Sequence, residues 1–264
     1  MAMTRQAVYQ SEQRAQAKQK QLAPVYVMVM DIRRYLPRLG ARKLYHLLKP
    51  KLEEHGIKLG RDGLLAYLRQ HHLLIKPFRR YTKTTNSRHW LKKYPNLLPE
   101  QEIKRPEQVF VSDITYVESA QGVHYLSLVT DACSRQIMGY KLAKDLKAKH
   151  SAQALLQAIN KRQHKQPLIH HSDRGVQYCS SEYQSILAKH DILPSMTEGY
   201  DCYQNALAER MNGILKQEFL LHRCQTFEEL KQLIKQSVLS YNRLRPHLSL
   251  GMMTPEQMHK KASC

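Results

Sequence analysis

Three carboxylates in unlike local settings could together carry out metal-assisted chemistry on phosphate: Asp113 in VSDITYV, Asp173 in HSDRGVQY and Glu209 in NALAERMNGILKQE, with 35 residues between the last two. The first lies in an apolar strand-like run, the second at a strand end and the third in a helix, so only a tertiary fold can collect them. Collected, they form an oxygen-only site that suits Mg²⁺ or Mn²⁺ rather than zinc. Two such ions roughly 3.5–4 Å apart, bridged by a shared carboxylate and a scissile phosphate, would activate one oxygen and stabilise the leaving one. Each residue alone has a plainer explanation: a strand-edge charge, a turn former ahead of Gly175, a helix-surface glutamate.

The helix around Glu209 carries more. Asn205, four residues before it, and Lys216, seven after, share its face at helical spacing, so one stripe holds an amide, a carboxylate and an ammonium. A lysine two turns beyond a metal carboxylate is placed to meet a phosphate beside the reacting one, although a lysine seen alone is usually a solvated surface group. His170 and His171 have no second His/Cys pair at ligand spacing and read as the strand end that positions Asp173. Asp131 reads as a turn residue before Ser134, and Thr226 with Glu229 as a capping box.

Charge says which phosphates are involved. Lys and Arg number 42 against 22 Asp and Glu, a net charge of +20. Residues 1–108 hold 23 basic and 8 acidic side chains, net +15, and residues 109–264 hold 19 and 14, net +5. The basic first part is an electrostatic handle for a polyanion, with the carboxylates in the more balanced remainder. Five cysteines without a CxxC pair argue for a reducing compartment and against a disulfide scaffold or zinc module. The early apolar stretch APVYVMVM is too short to span a bilayer, so the chain reads as cytoplasmic and free of membrane.

The positioning elements follow from periodicity. Residues 1–20 are a basic lead, either a frayed helix or disordered. From about residue 24, Val25, Met28, Val29, Ile32 and Leu36 mark a helix ended by Pro37 and Gly40. A second helix starts at Ala41, with Leu44, Leu47 and Leu48 on one face, and Pro50 should kink or stop it. After the GIKLG turn comes a third, Arg61 to His71, with Leu64, Leu65 and Leu68 inward. This is a small all-α helix-turn-helix pattern over 1–75, in which Arg42, Lys43, Arg61 and Arg69 would contact double-stranded DNA; a helical bundle with a solvated basic face is the alternative. Residues 76–108 read as a basic, Pro-containing linker, with Trp90 either stacking on a base or anchoring to a domain surface. Three strands (109–117, 123–130, 135–142), a helix (150–162), a strand (167–171), a helix capped by Ser180 (182–190), a fifth strand (192–196) and further helices complete 109–264. That order predicts an α/β, ribonuclease-H-like mixed sheet flanked by helices. The first and fourth strands would be neighbours, bringing Asp113 and Asp173 to one edge.

HSDRGVQY, NALAERMNGILKQE and YNRLRPHLSLGMMTP (241–255), together with LGARKLYHLL and VFVSDITYV, resemble the OrfB-type transposases of the IS three family of bacterial insertion sequences. The resemblance covers nearly the whole chain. It implies a retroviral-integrase-like core that nicks element ends to a 3′-hydroxyl and joins that hydroxyl to another phosphodiester. By motif it implies Asp113, Asp173 and Glu209 as catalytic metal ligands and Lys216, Asn205 and Arg174 at DNA. His171, Ser172, Gly175 and Tyr178 would shape the second carboxylate's surroundings, and Tyr203 the loop before Glu209. Gln204 departs from an aspartate common in relatives. The resemblance further implies a homo-oligomer on element-end and target DNA and an upstream frameshift-fusion partner. Two rivals remain open: a non-catalytic DNA-binding regulator, and a nuclease of the same fold that cuts without joining.

Overall fold

A computed structural model describes residues 5–76, 90–99, 101–198 and 205–261, apart from the side chains of a few residues early in the first helix. Tyr203 and Gln204 lie outside the described residues. The chain divides into two compact units, residues 1–77 and 78–264.

The first unit holds three helices, α1 (Arg5–Tyr35), α2 (Ala41–Glu54) and α3 (Arg61–Gln70). The basic lead is helical from Arg5, and α1 runs through Pro24. Nor does Pro50 stop α2: the proline is exposed, and Leu52 beyond it is buried with Leu44 and Leu48, so packing outweighs the lost backbone bond. On α3, Tyr67 rather than Leu65 joins Leu64 and Leu68 inside, and Leu65 is exposed. Both α2 and α3 close with a left-handed residue just past the helix, Gly56 at φ 63° and His72 at φ 54°. Ile57 and Leu73 then donate back to the Leu52 and Leu68 carbonyls at 2.8 and 2.7 Å.

The second unit is built on a five-stranded sheet of order β3-β2-β1-β4-β5. Its strands are β1 (Val109–Ser119), β2 (Gly122–Asp131), β3 (Ile137–Ala143), β4 (Leu168–Ser172) and β5 (Ile192–Met196). β1, β2 and β3 form an antiparallel meander, whereas β4 and β5 run parallel to β1. This is the mixed sheet of a ribonuclease-H-like fold. The parallel steps require crossovers, supplied by α4 (Ala148–Asn160) between β3 and β4 and α6 (Ser181–Lys189) between β4 and β5. Ser180 caps α6 by accepting from the Tyr183 amide. A short α5 (Val176–Cys179) follows β4.

Alternation along β1 gives the sheet two apolar faces. Phe110 points into a cluster with α4 and α6, while Val109 and Val111 point the other way, toward Ala208. That second face is covered by α7 (Ala206–Ile214), which continues as a π-helical turn, Leu215–Phe219. α8 (Phe227–Leu244), opened by the Thr226/Glu229 capping box, and α9 (Pro255–Lys261) follow. Gly139 on β3 lets α4 sit tight against the sheet, since a Cβ there would stand 2.0 Å from the Ala154 carbonyl oxygen.

Within the expected linker, residues 91–99 and 101–108 pack on the second unit. The Leu97 amide donates to Ser195 Oγ at 2.9 Å and the Met196 amide to the Pro95 carbonyl at 3.2 Å, while Leu91 and Tyr94 rest on the core. Trp90 is 92% exposed and anchors to no surface among the described residues. Among the described residues, no helix is long and apolar enough to cross a membrane.

Candidate active site

The sheet register places the first two carboxylates abreast. β1 and β4 pair as Val109↔Ile169, Phe110↔His170 and Val111↔His171, an offset of 60 residues that, carried two positions on, sets Asp173 beside Asp113. Adjacent strands lie about 4.8 Å apart, and period-two alternation turns Asp113 to the face covered by α7. There its Oδ1 accepts from the Ile114 amide at 2.8 Å and its Oδ2 from Asn212 Nδ2 at 2.7 Å. Asp173 Oδ1 accepts from the Gly175 amide at 3.0 Å. Glu209, on the first turn of α7, is exposed.

Each carboxylate feels the others. The Asp113 carboxyl is pushed up to about 7, first by burial, then by the charge of Asp173; these outweigh the opposing hydrogen bonds from Ile114 and Asn212, and Glu209 adds the smallest push. Desolvation raises Glu209 as well, with Asp173 adding to it. Among the described residues, no three His, Cys, Asp or Glu side chains converge closely enough to hold a metal ion as they stand. The three acids are thus within electrostatic reach without sharing a bonding centre, as unneutralised like charges in a low-dielectric setting should be.

Lys216 lies in the π-helical turn, and its Nζ donates to Thr115 Oγ1 at 3.2 Å. Thr115 is two residues beyond Asp113, on the same face. Partial burial lowers the Lys216 ammonium, and the charges of Glu118 and Asp113 offset this only in part. Asn205, expected at DNA, is turned inward instead: it is 4% exposed and its Nδ2 donates to the Ser112 carbonyl at 3.2 Å, pinning the start of α7 to β1. The physical reason is its position at the helix start, where α7 meets the sheet. Arg174 is partly buried beside Asp173.

His170, His171, Ser172 and Tyr178 are all buried. His170 Nε2 pairs with Ser112 Oγ at 2.7 Å and Tyr183 Oη at 2.8 Å, and His171 Nδ1 with Ser195 Oγ at 2.8 Å. Burial, with His171 beside it, pushes His170 down to about 3, so it stays neutral and acts as a strut. In the first unit Arg42, Arg61 and Arg69 are exposed and Lys43 partly so; Arg61 is paired with Asp62 at 3.0 Å.

Sequence reasoning missed Asn212. It lies three residues after Glu209 on the helical stripe that singled out Asn205 and Lys216, so the same spacing rule extends to it. It is 5% exposed, and its buried Oδ1 has no hydrogen-bond partner among the described residues while its Nδ2 serves Asp113. Thr115, which meets Lys216 across 101 residues of chain, and the Glu218–Arg245 pair, 27 residues apart, were also missed, because no local period links such partners.

Comparison with known proteins is consistent along the chain. An integrase core domain family matches residues 103–202, and a second integrase core domain family matches 190–255. A transposase InsF for insertion sequence IS3A of Escherichia coli strain K12 is 31% identical over 244 residues, covering 89% of this chain and 81% of the relative. The chain belongs to the IS3-family transposases. An insertion element IS600 uncharacterized 31 kDa protein of Shigella sonnei is 36% identical over 217 residues, 81% of this transposase and 80% of that protein. For the fold, the transposase is similar to a simian T-cell lymphotropic virus intasome structure, with a TM-score of 0.53 and 19% identity over 83% of this chain and 74% of the other. Family membership makes it a transposase of an insertion sequence, a polynucleotidyl transferase acting on DNA.

Proposed function

We propose that this transposase cuts and joins DNA with Asp113, Asp173 and Glu209 as its catalytic carboxylates and as the ligands of divalent metal, Mg²⁺ or Mn²⁺. The Asp113 carboxyl carries this reading. A desolvated acid pushed up to about 7 beside two further acids is an unfavourable arrangement for a fold and a favourable one for a cation. The donor set fits such a group: it is all oxygen, and the nearby imidazoles His170 and His171 are engaged with Ser112, Tyr183 and Ser195. When bound, the metal supplies charge neutralisation at the scissile phosphate and activation of the attacking oxygen.

The chain's own residues bind and orient. Lys216, held on the Asp113 face through Thr115, meets the phosphate next to the cleavage point, and Asn212 holds the Asp113 carboxylate by its Oδ2. Two direct displacements follow at phosphorus without a covalent protein intermediate: nicking to leave a 3′-hydroxyl, then attack of that hydroxyl on a second phosphodiester. In the first unit, α2, the turn after it and α3 act as a helix-turn-helix, with Arg42, Lys43, Arg61 and Arg69 toward the duplex; the basic residues around Trp90 track the DNA backbone and exposed Trp90 stacks on a base. The working form is a homo-oligomer on DNA, with an upstream fused product contributing to end recognition.

Labelled element-end DNA incubated with Mg²⁺ and the full chain should be nicked and joined, whereas Asp113→Asn should bind the same DNA without chemistry. Equal activity in the two proteins would remove Asp113 from the site.

A further inference from the structure

We propose that Glu218 and Arg245 are positioning residues that set the reach of Lys216, so that the C-terminal YNRLRPH segment acts on the reaction through the π-helical turn. This inference rests on the proposed role of Lys216 at the scissile phosphate.

Four observations carry it. Residues Leu215–Phe219 form a π-helical turn at the end of α7, closed by the Leu220 amide on the Leu215 carbonyl at 2.9 Å. Such a turn holds one residue more than an α-turn, is intrinsically less favourable, and persists where surrounding contacts hold it. Lys216 and Glu218 lie on this same turn and leave it in different directions: Lys216 to Thr115 on β1, Glu218 to Arg245 after α8. The Arg245 contact is a two-pronged fork, Nε to Oε2 at 2.8 Å and Nη2 to Oε1 at 2.5 Å. Finally, Arg245 is 2% exposed, is bonded to His247 Nε2 at 3.0 Å and lies over the Tyr241 ring, so it cannot drift. A buried fork fixes both distance and plane, which a single point charge does not. With the fork made, the turn stays π-helical and the Lys216 ammonium stays on the Asp113 face. Without it, the turn is free to rewind to α geometry, which changes the angle between Lys216 and Glu218 about the helix axis by a fraction of one residue's arc of ~100°.

Replacing a buried ion pair by apolar side chains usually preserves stability, which separates positioning from mere support. The test compares the full-length protein with Glu218→Leu/Arg245→Met, reading thermal melting, affinity for labelled element-end DNA and the rate of strand joining in Mg²⁺. The double variant is expected to melt close to the parent and bind DNA comparably, yet join strands about tenfold more slowly, a loss of about 1.4 kcal/mol in barrier terms. In a Lys216→Ala background the same pair of changes should slow joining no further, because effects that act through one residue are not additive. Full joining in a well-folded double variant overturns the proposal, as does an undiminished tenfold loss on top of Lys216→Ala. If the double variant melts early, Arg245→Lys, which keeps the charge and loses the fork, is put through the same two comparisons: slower joining that disappears in the Lys216→Ala background supports the proposal, and full joining or an undiminished loss overturns it. The Asp113→Asn control separates the two readings: activity there equal to the parent sinks the acidic site itself, whatever the Glu218 result.

Discussion

Two acids, one just before β1 and one in its middle, are treated in opposite ways. Glu107 is fully buried, with one oxygen accepting from the Gln163 amide at 2.8 Å and the other from the His164 amide at 2.9 Å, and with His259 Nε2 at 3.3 Å and Arg162 at 3.7 Å. Burial alone would raise this carboxyl, but the hydrogen bonds from His259, Gln163 and His164 outweigh it and hold the group below its ordinary value. Nearby Asp131, at the end of β2, is closed off by Ser134 and the Glu107 amide, and Ser134 Oγ meets His259 Nδ1, so α9 is tied to the sheet through this network. In the middle of β1, Asp113 has, among the described residues, only the Ile114 amide and Asn212 as hydrogen-bond donors, and faces two other acids. Saturated acid is architecture, whereas acid left under-neutralised against its own kind is a site waiting for a cation.

That contrast predicts opposite signs. Glu107→Ala strips the partner from the Gln163 and His164 amides, from buried His259 and from Arg162, and should cost about 3–5 kcal/mol in urea unfolding; a loss under about 1 kcal/mol would erase the distinction. Asp113→Asn should instead stabilise the fold. The folded carboxyl titrates at about 7 and the unfolded one near 3.9, so the folded state holds the extra proton between them and Asp113's contribution worsens as pH rises through that window. The Asn variant should therefore gain about 2–4 kcal/mol at pH 8, shrinking to almost nothing near pH 4; thermal melts across that range check it, and a pH-independent difference would count against the carboxyl as its source. The gain survives the change of side chain because the Asn212 amide can turn its unpartnered Oδ1 toward the new amide. Smallest of the three, Asn212→Ala should cost about 1–2 kcal/mol at pH 8 and less at pH 5, where Asp113 carries its own proton and no longer needs the donor. An equal cost at both pH values would make Asn212 a packing residue only.

Much of the frame was readable in the chain. β5 falls on residues 192–196 as expected, β1 to β4 differ from expectation by two residues at most at each end, and Ser180 and Thr226 cap their helices. These features are local, set by alternation, β-branched runs and hydroxyls at helix starts. Where expectation and structure part, packing has overruled local preference. Pro24 and Pro50 are carried inside helices, Leu65 changes places with Tyr67, and the segment after Trp90 is laid on the core through Leu97 and Ser195.

Residue types and periods along the chain determined that there would be a mixed sheet, a basic helical unit and three acids on separate elements. Tertiary structure alone decided that Asn212 meets the Asp113 carboxylate, that Asn205 turns inward to Ser112, and that Glu218 meets Arg245 across a π-helical turn. The reason is range: periodicity reports what lies within a turn or two of a residue, while burial, mutual charge and forked hydrogen bonds exist only once distant segments have been packed together.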